Sequence, residues 1–138
     1  MGDVYSKVVR SYVMSRVKSK NTKPELLVRL YLFSKGLRYR LHKKDLPGKP
    51  DIVLAKYKTV IFINGCFWHG HENCQFFKIP QTNTNFWKDK IARNVDRESR
   101  NVKSLQERGW KVIIVWGCEL KPKYLKNTLG SVLQKILN

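Results

Sequence analysis

Apolar residues recur at helical spacing near both ends of the chain and in one long segment between them. Val4, Val8 and Tyr12 recur every four residues, which indicates one face of a first helix. A second helix is predicted to begin at a capping box, Thr-Lys-Pro-Glu at 22–25, and to stop at Gly36. We expect its buried face to carry Leu26, Leu27, Leu30 and Leu37. Two later segments have helical spacing, at about 86–108 and at 121–137.

Shorter apolar runs between the helices predict β-strands. The segment 37–41 alternates apolar and polar residues, as a half-buried strand does. A turn cluster at 45–50 precedes two β-rich runs, 51–54 and 59–63, which we expect to form a hairpin. The run 110–116 is apolar enough to be a central strand. The predicted order is α-α-β-β-β-α-β-α, so the fold class is α/β, with a mixed β-sheet flanked by helices.

Charge adds a function class to this picture. The chain of 138 residues has 28 Lys and Arg against 10 Asp and Glu, a net charge of +18. A charge of that size indicates a polyanionic partner, and residues 1–50, with 13 basic and 3 acidic residues, are the candidate contact region. No apolar run is long enough to cross a bilayer, and the N-terminus has no secretory-signal core. We therefore expect a cytoplasmic protein of one domain, with no membrane partner.

The cysteines and one histidine form the strongest local pattern. An odd number of cysteines, 3, argues against a disulfide framework. Thiolate and imidazole ligands select zinc, and four of them leave no open position for catalysis. The pattern therefore predicts one structural Zn²⁺ ion, held by Cys66, His71, Cys74 and Cys118. His69 and Glu72 are possible replacement ligands. In the alternative interpretation, Cys118 fills the core and His71 is an ordinary loop residue.

An aspartate, Asp51, opens the expected hairpin directly after the turn cluster. A carboxylate at the mouth of a strand suits Mg²⁺ held against a phosphate, although an aspartate after proline is also a common turn residue. Glu25 is explained by its capping box, and it could also reach the same metal through water. His69 lies among the proposed zinc ligands, where a rigid histidine is a good general base. We expect His42 to be exposed to solvent, without a partner.

Aromatic pairs occur at 67–68, inside the cysteine-rich loop, and at 86–87, at the start of the long helix. They could be ordinary core, and we expect this of Phe86. In a strongly basic protein the other use is insertion between base pairs. Phe67 and Trp68 are the better candidates for insertion, because their short loop has little room to bury both rings.

The motifs together resemble one known family. They are Leu-Pro-Gly-Lys-Pro-Asp at 46–51, Val-Ile-Phe at 60–62, Gly-Cys-Phe-Trp-His at 65–69, Asn-Thr-Asn-Phe-Trp at 83–87, Trp-Lys-Val at 110–112 and Val-Trp-Gly-Cys at 115–118. In one register, from about residue 3 to residue 118, the chain resembles the very short patch repair (Vsr) DNA mismatch endonucleases. The segment Met-Ser-Arg at 14–16 also resembles the N-terminal arm of that family.

The resemblance implies a restriction-endonuclease-like core and Mg²⁺-dependent nicking of one DNA strand next to the T of a T:G mismatch, which arises when 5-methylcytosine deaminates. By position, Asp51 would be the metal-binding catalytic carboxylate, His69 the general base and Glu25 a supporting acid, with two Mg²⁺ ions. One structural Zn²⁺ would have the four ligands named above. The DNA-contacting residues would be Phe67, Trp68 and Trp87 as a wedge, and Met14 and Arg16 on the N-terminal helix.

The resemblance also implies a setting. We expect one endonuclease domain over 1–138, with residues 1–20 as a basic arm on DNA, acting as a monomer on nucleoid DNA in the bacterial cytoplasm. Mismatch-repair proteins are expected further partners. Well-known members carry Thr-His where this chain has Ile63-Asn64, and a backbone carbonyl at Ile63 could still bind Mg²⁺. Two alternatives remain, a restriction-type nuclease that cuts matched duplex and a non-catalytic, zinc-bearing DNA-binding module.

Overall fold

The computed structural model describes residues 22–138. The helix expected around Val4, Val8 and Tyr12, and with it Met14 and Arg16, lies outside these residues. The described elements are α1 (Lys23–Ser34), β1 (Arg40–Leu41), β2 (Ile52–Leu54), β3 (Thr59–Asn64), α2 (Thr84–Glu107), β4 (Lys111–Trp116) and α3 (Pro122–Leu137). Short 3₁₀ turns occupy Ala55–Tyr57 and Gly117–Leu120. The predicted order of helices and strands is confirmed from α1 onwards.

The strands form one mixed sheet of four, in the order β1-β2-β3-β4. The hairpin prediction is confirmed, because β2 pairs antiparallel with β3, with Ile52 opposite Ile61. Strand β4 runs parallel to β3, with Ile113 opposite Ile61. A parallel pair needs a crossover connection, and here the connection contains the long helix α2.

The prediction that β4 is a central strand is wrong, since among residues 22–138 it is an edge strand paired with β3. Its apolar character has another cause, which is that both of its faces are covered. Ile113 and Val115 pack in the core with α1 and α3, while Val112 and Ile114 pack with Leu105 of α2 on the opposite face. No helix in the described part of the chain is long and apolar enough to span a membrane.

Helix α1 buries a different face from the one expected. Leu26 and Leu30 are 43% and 69% exposed, whereas Val28 and Leu32 are fully buried. Of the expected leucines, Leu37 is buried in the core, although it lies beyond the end of the helix. The buried face also carries Glu25, which is 2% exposed, because residues three and seven positions apart lie on one side of a helix. The core therefore holds α1 in the orientation that points the Glu25 carboxylate at the mouth of β2.

Candidate active site and metal centre

The aspartate at the entrance to β2 lies in a cleft of about 370 Å³. The cleft is lined by His42, Lys44, Gly48, Lys49, Asp51, Phe62, Ile63, Asn64 and His69. The turn cluster forms one wall, and Gly48 has φ +77, with Phe62 and Asn101 only 3.2 Å from where a Cβ would stand. A side chain at position 48 would therefore be both strained and crowded. The sequence thus places a close turn and a carboxylate side by side at the open end of the hairpin.

Asp51 is held by the neighbouring strand. The backbone N–H of Ile63 donates to its Oδ2 at 2.7 Å, and its Oδ1 lies 4.0 Å from His42 Nε2. Burial, with a smaller contribution from the Glu25 carboxylate, raises the pKa of Asp51 to about 6, despite the lowering effect of the Ile63 hydrogen bond. An ionised carboxylate is therefore disfavoured here unless a cation accompanies it.

Glu25 reaches this site from α1. Its Oε2 accepts from Arg29 Nη2 at 2.8 Å and lies 3.0 Å from His42 Nε2. The capping prediction is confirmed at Thr22, whose Oγ1 accepts from the Glu25 backbone N–H at 3.5 Å. The expectation for His42 is wrong, because its side chain is 18% exposed and contacts Glu25. Glu25, His42 and Asp51 bring their ligand atoms within 4.8 Å of one another, an arrangement that could hold a metal ion.

His69 enters the same cleft from the cysteine-rich loop. Its Nδ1 lies 2.5 Å from Oε2 of Glu98 on α2. Glu98 also accepts two hydrogen bonds from Asn64 Nδ2, at 2.9 and 2.8 Å. A carboxylate on Nδ1 fixes the tautomer and leaves Nε2 to exchange a proton. Sequence reasoning missed Glu98, because it is one of four acidic residues on α2 and no motif distinguishes it from the others.

The four predicted zinc ligands come together on one side of this loop. The ligand atoms of Cys66, His71, Cys74 and Cys118 all lie within 4.8 Å of one another. The Cys118 sulfur lies 3.5 Å from His71 Nδ1, and the ring of Trp116 stacks on the imidazole at 4.0 Å. Burial and the two neighbouring thiols raise the pKa of Cys118 to about 12, so a cation is needed to hold all the sulfurs as thiolates. Neither His69 nor Glu72 belongs to this group.

Four aromatic residues between and beyond these ligands form one partly exposed cluster, which we call the aromatic cluster: Phe67, Trp68, Phe86 and Trp87. Phe67 and Trp68 lie 5.1 Å apart, and both contact Trp87, at 5.5 and 5.9 Å between ring centres. Trp68 is 47% exposed. The expectation that Phe86 belongs to the core is wrong, since it is 55% exposed at the start of α2, a position on the rim of the fold.

Helix α2 fixes the loop that carries these rings. Asn94 Nδ2 donates to the backbone carbonyl of Trp68 at 3.0 Å. At Gly70, φ is +59, and a Cβ would meet Ile91 of α2 at 2.9 Å. The loop therefore approaches the helix at a distance that only glycine permits. The aromatic cluster and His69 are thus held against the same helix.

Comparison with known proteins decides the family. The family model described as DNA mismatch endonuclease Vsr matches residues 2–75. The DNA mismatch endonuclease Vsr of Escherichia coli is 45% identical over 121 residues, covering 88% of this chain and 77% of that protein. The chain belongs to the Vsr family.

Two type II nicking enzymes are similar over almost the whole chain. V.NmeAIP from Neisseria meningitidis is 54% identical over 137 residues, which is 99% of this chain and 97% of that enzyme. V.XorIIP from Xanthomonas oryzae is 48% identical over 138 residues, or 100% of this chain and 96% of that enzyme. The family match contains Glu25, Asp51 and His69, and the longer similarity to these enzymes also contains Glu98 and Cys118. All the clustered side chains of this Vsr-family protein therefore lie within the similar region.

Proposed function

We propose that this protein is a Mg²⁺-dependent DNA endonuclease that nicks one strand next to the T of a T:G mismatch. One observation carries the proposal: in a Vsr-family chain, Asp51 and the carboxylate-bound histidine His69 line one cleft, and the buried Glu25 carboxylate lies within 4.8 Å of the Asp51 carboxylate. The names of the relatives support mismatch recognition and strand nicking. The net charge of +18 supports a nucleic acid as substrate.

The two carboxylates of the site fit Mg²⁺. Oxygen ligands suit this ion, and the buried Asp51 with Glu25 beside it concentrates negative charge that a dication would neutralise. Asp51 and the backbone carbonyl of Ile63 would hold the metal, with Glu25 supporting it. Two Mg²⁺ ions, when bound, would supply charge stabilisation for the attacking and the leaving oxygen.

In this proposal His69 is the general base. Nε2 takes the proton from the attacking water, while Nδ1 stays bound to Glu98. The Glu98 carboxylate balances the positive charge that the imidazole gains in that step. Asn64 holds Glu98 with two hydrogen bonds, so these two side chains orient His69 in the protein without DNA.

The remaining elements support binding of DNA. Lys44 and Lys49 line the cleft and would contact phosphates. Phe67, Trp68 and Trp87 of the aromatic cluster would insert at the mismatch, and Met14 and Arg16 would contact DNA from the N-terminal arm. A T:G pair stacks less well than a Watson–Crick pair, so opening the duplex there costs less.

The proposal extends to the whole chain. The mixed sheet with flanking helices is the described part of a restriction-endonuclease-like core, and residues 1–138 form one endonuclease domain with a basic arm at 1–20. One structural Zn²⁺ is held by Cys66, His71, Cys74 and Cys118, a donor set of three sulfurs and one nitrogen that zinc prefers. The protein works as a monomer on nucleoid DNA in the bacterial cytoplasm, together with mismatch-repair proteins.

One assay tests this function. Strand nicking is measured on a T:G duplex and on the matched T:A duplex, each with and without Mg²⁺. We expect nicking of the T:G duplex but not of the T:A duplex, and only when Mg²⁺ is present. Equal cleavage of both duplexes would identify a nuclease for matched DNA, and tight binding without cleavage under any condition would identify a non-catalytic DNA-binding module.

A further inference from the structure

His42 is placed at the mouth of the cleft by its backbone. It directly follows β1 with φ +47, a left-handed conformation that costs a non-glycine residue energy. Its N–H donates to the backbone carbonyl of Asp51 at 3.2 Å. His42 therefore contacts Asp51 through its backbone N–H, and its side chain also approaches the Asp51 carboxylate. Strained residues that a fold retains next to a site are candidates for a function there.

The side-chain geometry around His42 matches the coordination sphere of a divalent ion. Nε2 lies 3.0 Å from Glu25 Oε2 and 4.0 Å from Asp51 Oδ1. With octahedral bonds of about 2.1 Å, adjacent ligand atoms are about 3.0 Å apart and opposite ones about 4.2 Å. Nε2 therefore stands where a ligand adjacent to the Glu25 oxygen and nearly opposite Asp51 Oδ1 would stand. The other aspartate oxygen is bound to the Ile63 N–H, which directs Oδ1 towards the histidine.

We propose that His42 is a nitrogen ligand of the divalent cation at Asp51 and Glu25, and that it makes the site prefer Mn²⁺ to Mg²⁺. This inference rests on the proposed function, which places a cation at Asp51. Mg²⁺ keeps oxygen ligands and gives up its waters reluctantly. Mn²⁺ is the weakest binder of the first-row transition series and also takes oxygen ligands, yet it accepts an imidazole nitrogen more readily than Mg²⁺ does. The expected ligand set is one nitrogen and two carboxylates, together with waters or substrate phosphate.

The test is pulsed electron paramagnetic resonance of Mn²⁺ bound to the zinc-loaded protein in the absence of DNA. The chain has three histidines, so a coupled nitrogen can be assigned by substitution. Wild type should show the coupling of one directly bound imidazole nitrogen. His42→Gln should lose it, since glutamine retains a polar side chain but no imidazole, and its Mn²⁺ affinity should fall by about tenfold or more, with a smaller change for Mg²⁺. His69→Gln is the matched control and should keep the coupling.

Each result decides between the two proposals. Suppose that wild type binds Mn²⁺ without nitrogen coupling and that Asp51→Asn does not bind it. This result would overturn the role of His42 and leave the proposed metal site intact. Coupling that persists in His42→Gln would also overturn it. If Asp51→Asn binds Mn²⁺ as well as wild type does, the proposed catalytic metal site itself is wrong. If His42→Gln does not fold, His42→Asn takes its place. Wild type labelled with ¹⁵N-histidine then shows whether the coupled nitrogen belongs to a histidine, and labelled His69→Gln shows whether that histidine is His69.

Discussion

Replacing Asp51 with asparagine should abolish nicking and also stabilise the protein when no divalent cation is bound in the cleft. Burial, together with the Glu25 carboxylate, raises the pKa of Asp51 from 3.8 to about 6. The ionised form is thus disfavoured in the folded protein, by about 3 kcal/mol at pH 8. Asparagine has nearly the same shape, keeps an acceptor for the Ile63 N–H, and has no charge. Activity and stability should therefore change in opposite directions.

The gain in stability from Asp51→Asn has a defined pH dependence. Because the folded-state pKa is raised, the cost of ionisation is full above about pH 7, falls as the pH drops through 6, and vanishes near pH 4. The free energy of unfolding should exceed that of wild type by about 3 kcal/mol at pH 8 and by about half of that at pH 5. Urea unfolding in Mg²⁺-free buffer, with zinc retained, measures both differences.

The matched control for Asp51→Asn is Asp45→Asn, the same substitution at a side chain that is 69% exposed. It should leave stability and nicking nearly unchanged. Saturating Mg²⁺ should narrow or reverse the difference between wild type and Asp51→Asn, because binding stabilises only the protein that holds the ion. An Asp51→Asn protein that is no more stable than wild type at pH 8, or whose advantage is the same at pH 5, would refute this account of the site.

Three further substitutions test the other parts of the site. Cys118→Ala should lose the bound zinc and melt several degrees lower, measured by metal analysis and thermal denaturation; a zinc-free preparation with an unchanged Tm would contradict the structural role of the metal. Trp68→Ala should slow the nicking of a T:G duplex more than it slows the nicking of a duplex already opened by an abasic gap, and the two losses of rate should differ by about one to two decades. The control is Phe76→Ala, at another exposed aromatic residue, and it should show no such difference. Equal losses on both substrates together with a lower Tm would assign Trp68 to the core. Glu98→Gln should lower the single-turnover nicking rate about 10- to 100-fold and shift its pH profile, with DNA affinity little changed. An unaltered rate and profile would remove Glu98 from the positioning of His69.

Local signals in the sequence predicted the elements well, and the misses concern how elements meet. Apolar spacing is enough to find β4 and to show that both of its faces are covered. It does not show whether another strand pairs with its outer edge. In α1 the leucines suggested the wrong face. Glu25 and Arg29 lie on the buried face as a pair at 2.8 Å, and a paired charge in the interior has no signature in hydrophobic periodicity.

The candidate site divides in the same way. Asp51, His69 and the cysteines were found because they stand in short motifs with unusual residue types. His42 and Glu98 were missed because each acquires its role from a partner distant in sequence. His42 meets a glutamate 17 positions away, and Glu98 meets a histidine 29 positions away. Only the fold brings Glu25 of α1 beside His42 and Glu98 of α2 beside His69, so neither pair could be recognised from spacing.

The arrangement of the cysteine-rich loop has a consequence for how recognition and cleavage are linked. Between Cys66 and His71, both in the proposed zinc cluster, lie Phe67 and Trp68 and then His69, the proposed base. Asn94 binds the Trp68 carbonyl and Glu98 binds the His69 ring, so the two residues are attached one turn apart to α2. In the proposed function, insertion of the Trp68 ring into DNA would displace a residue joined to His69 by a single peptide bond, while both residues keep their attachment to α2. Such a loop would favour the duplex that admits the ring, because the proposed base would reach its working position when insertion is complete.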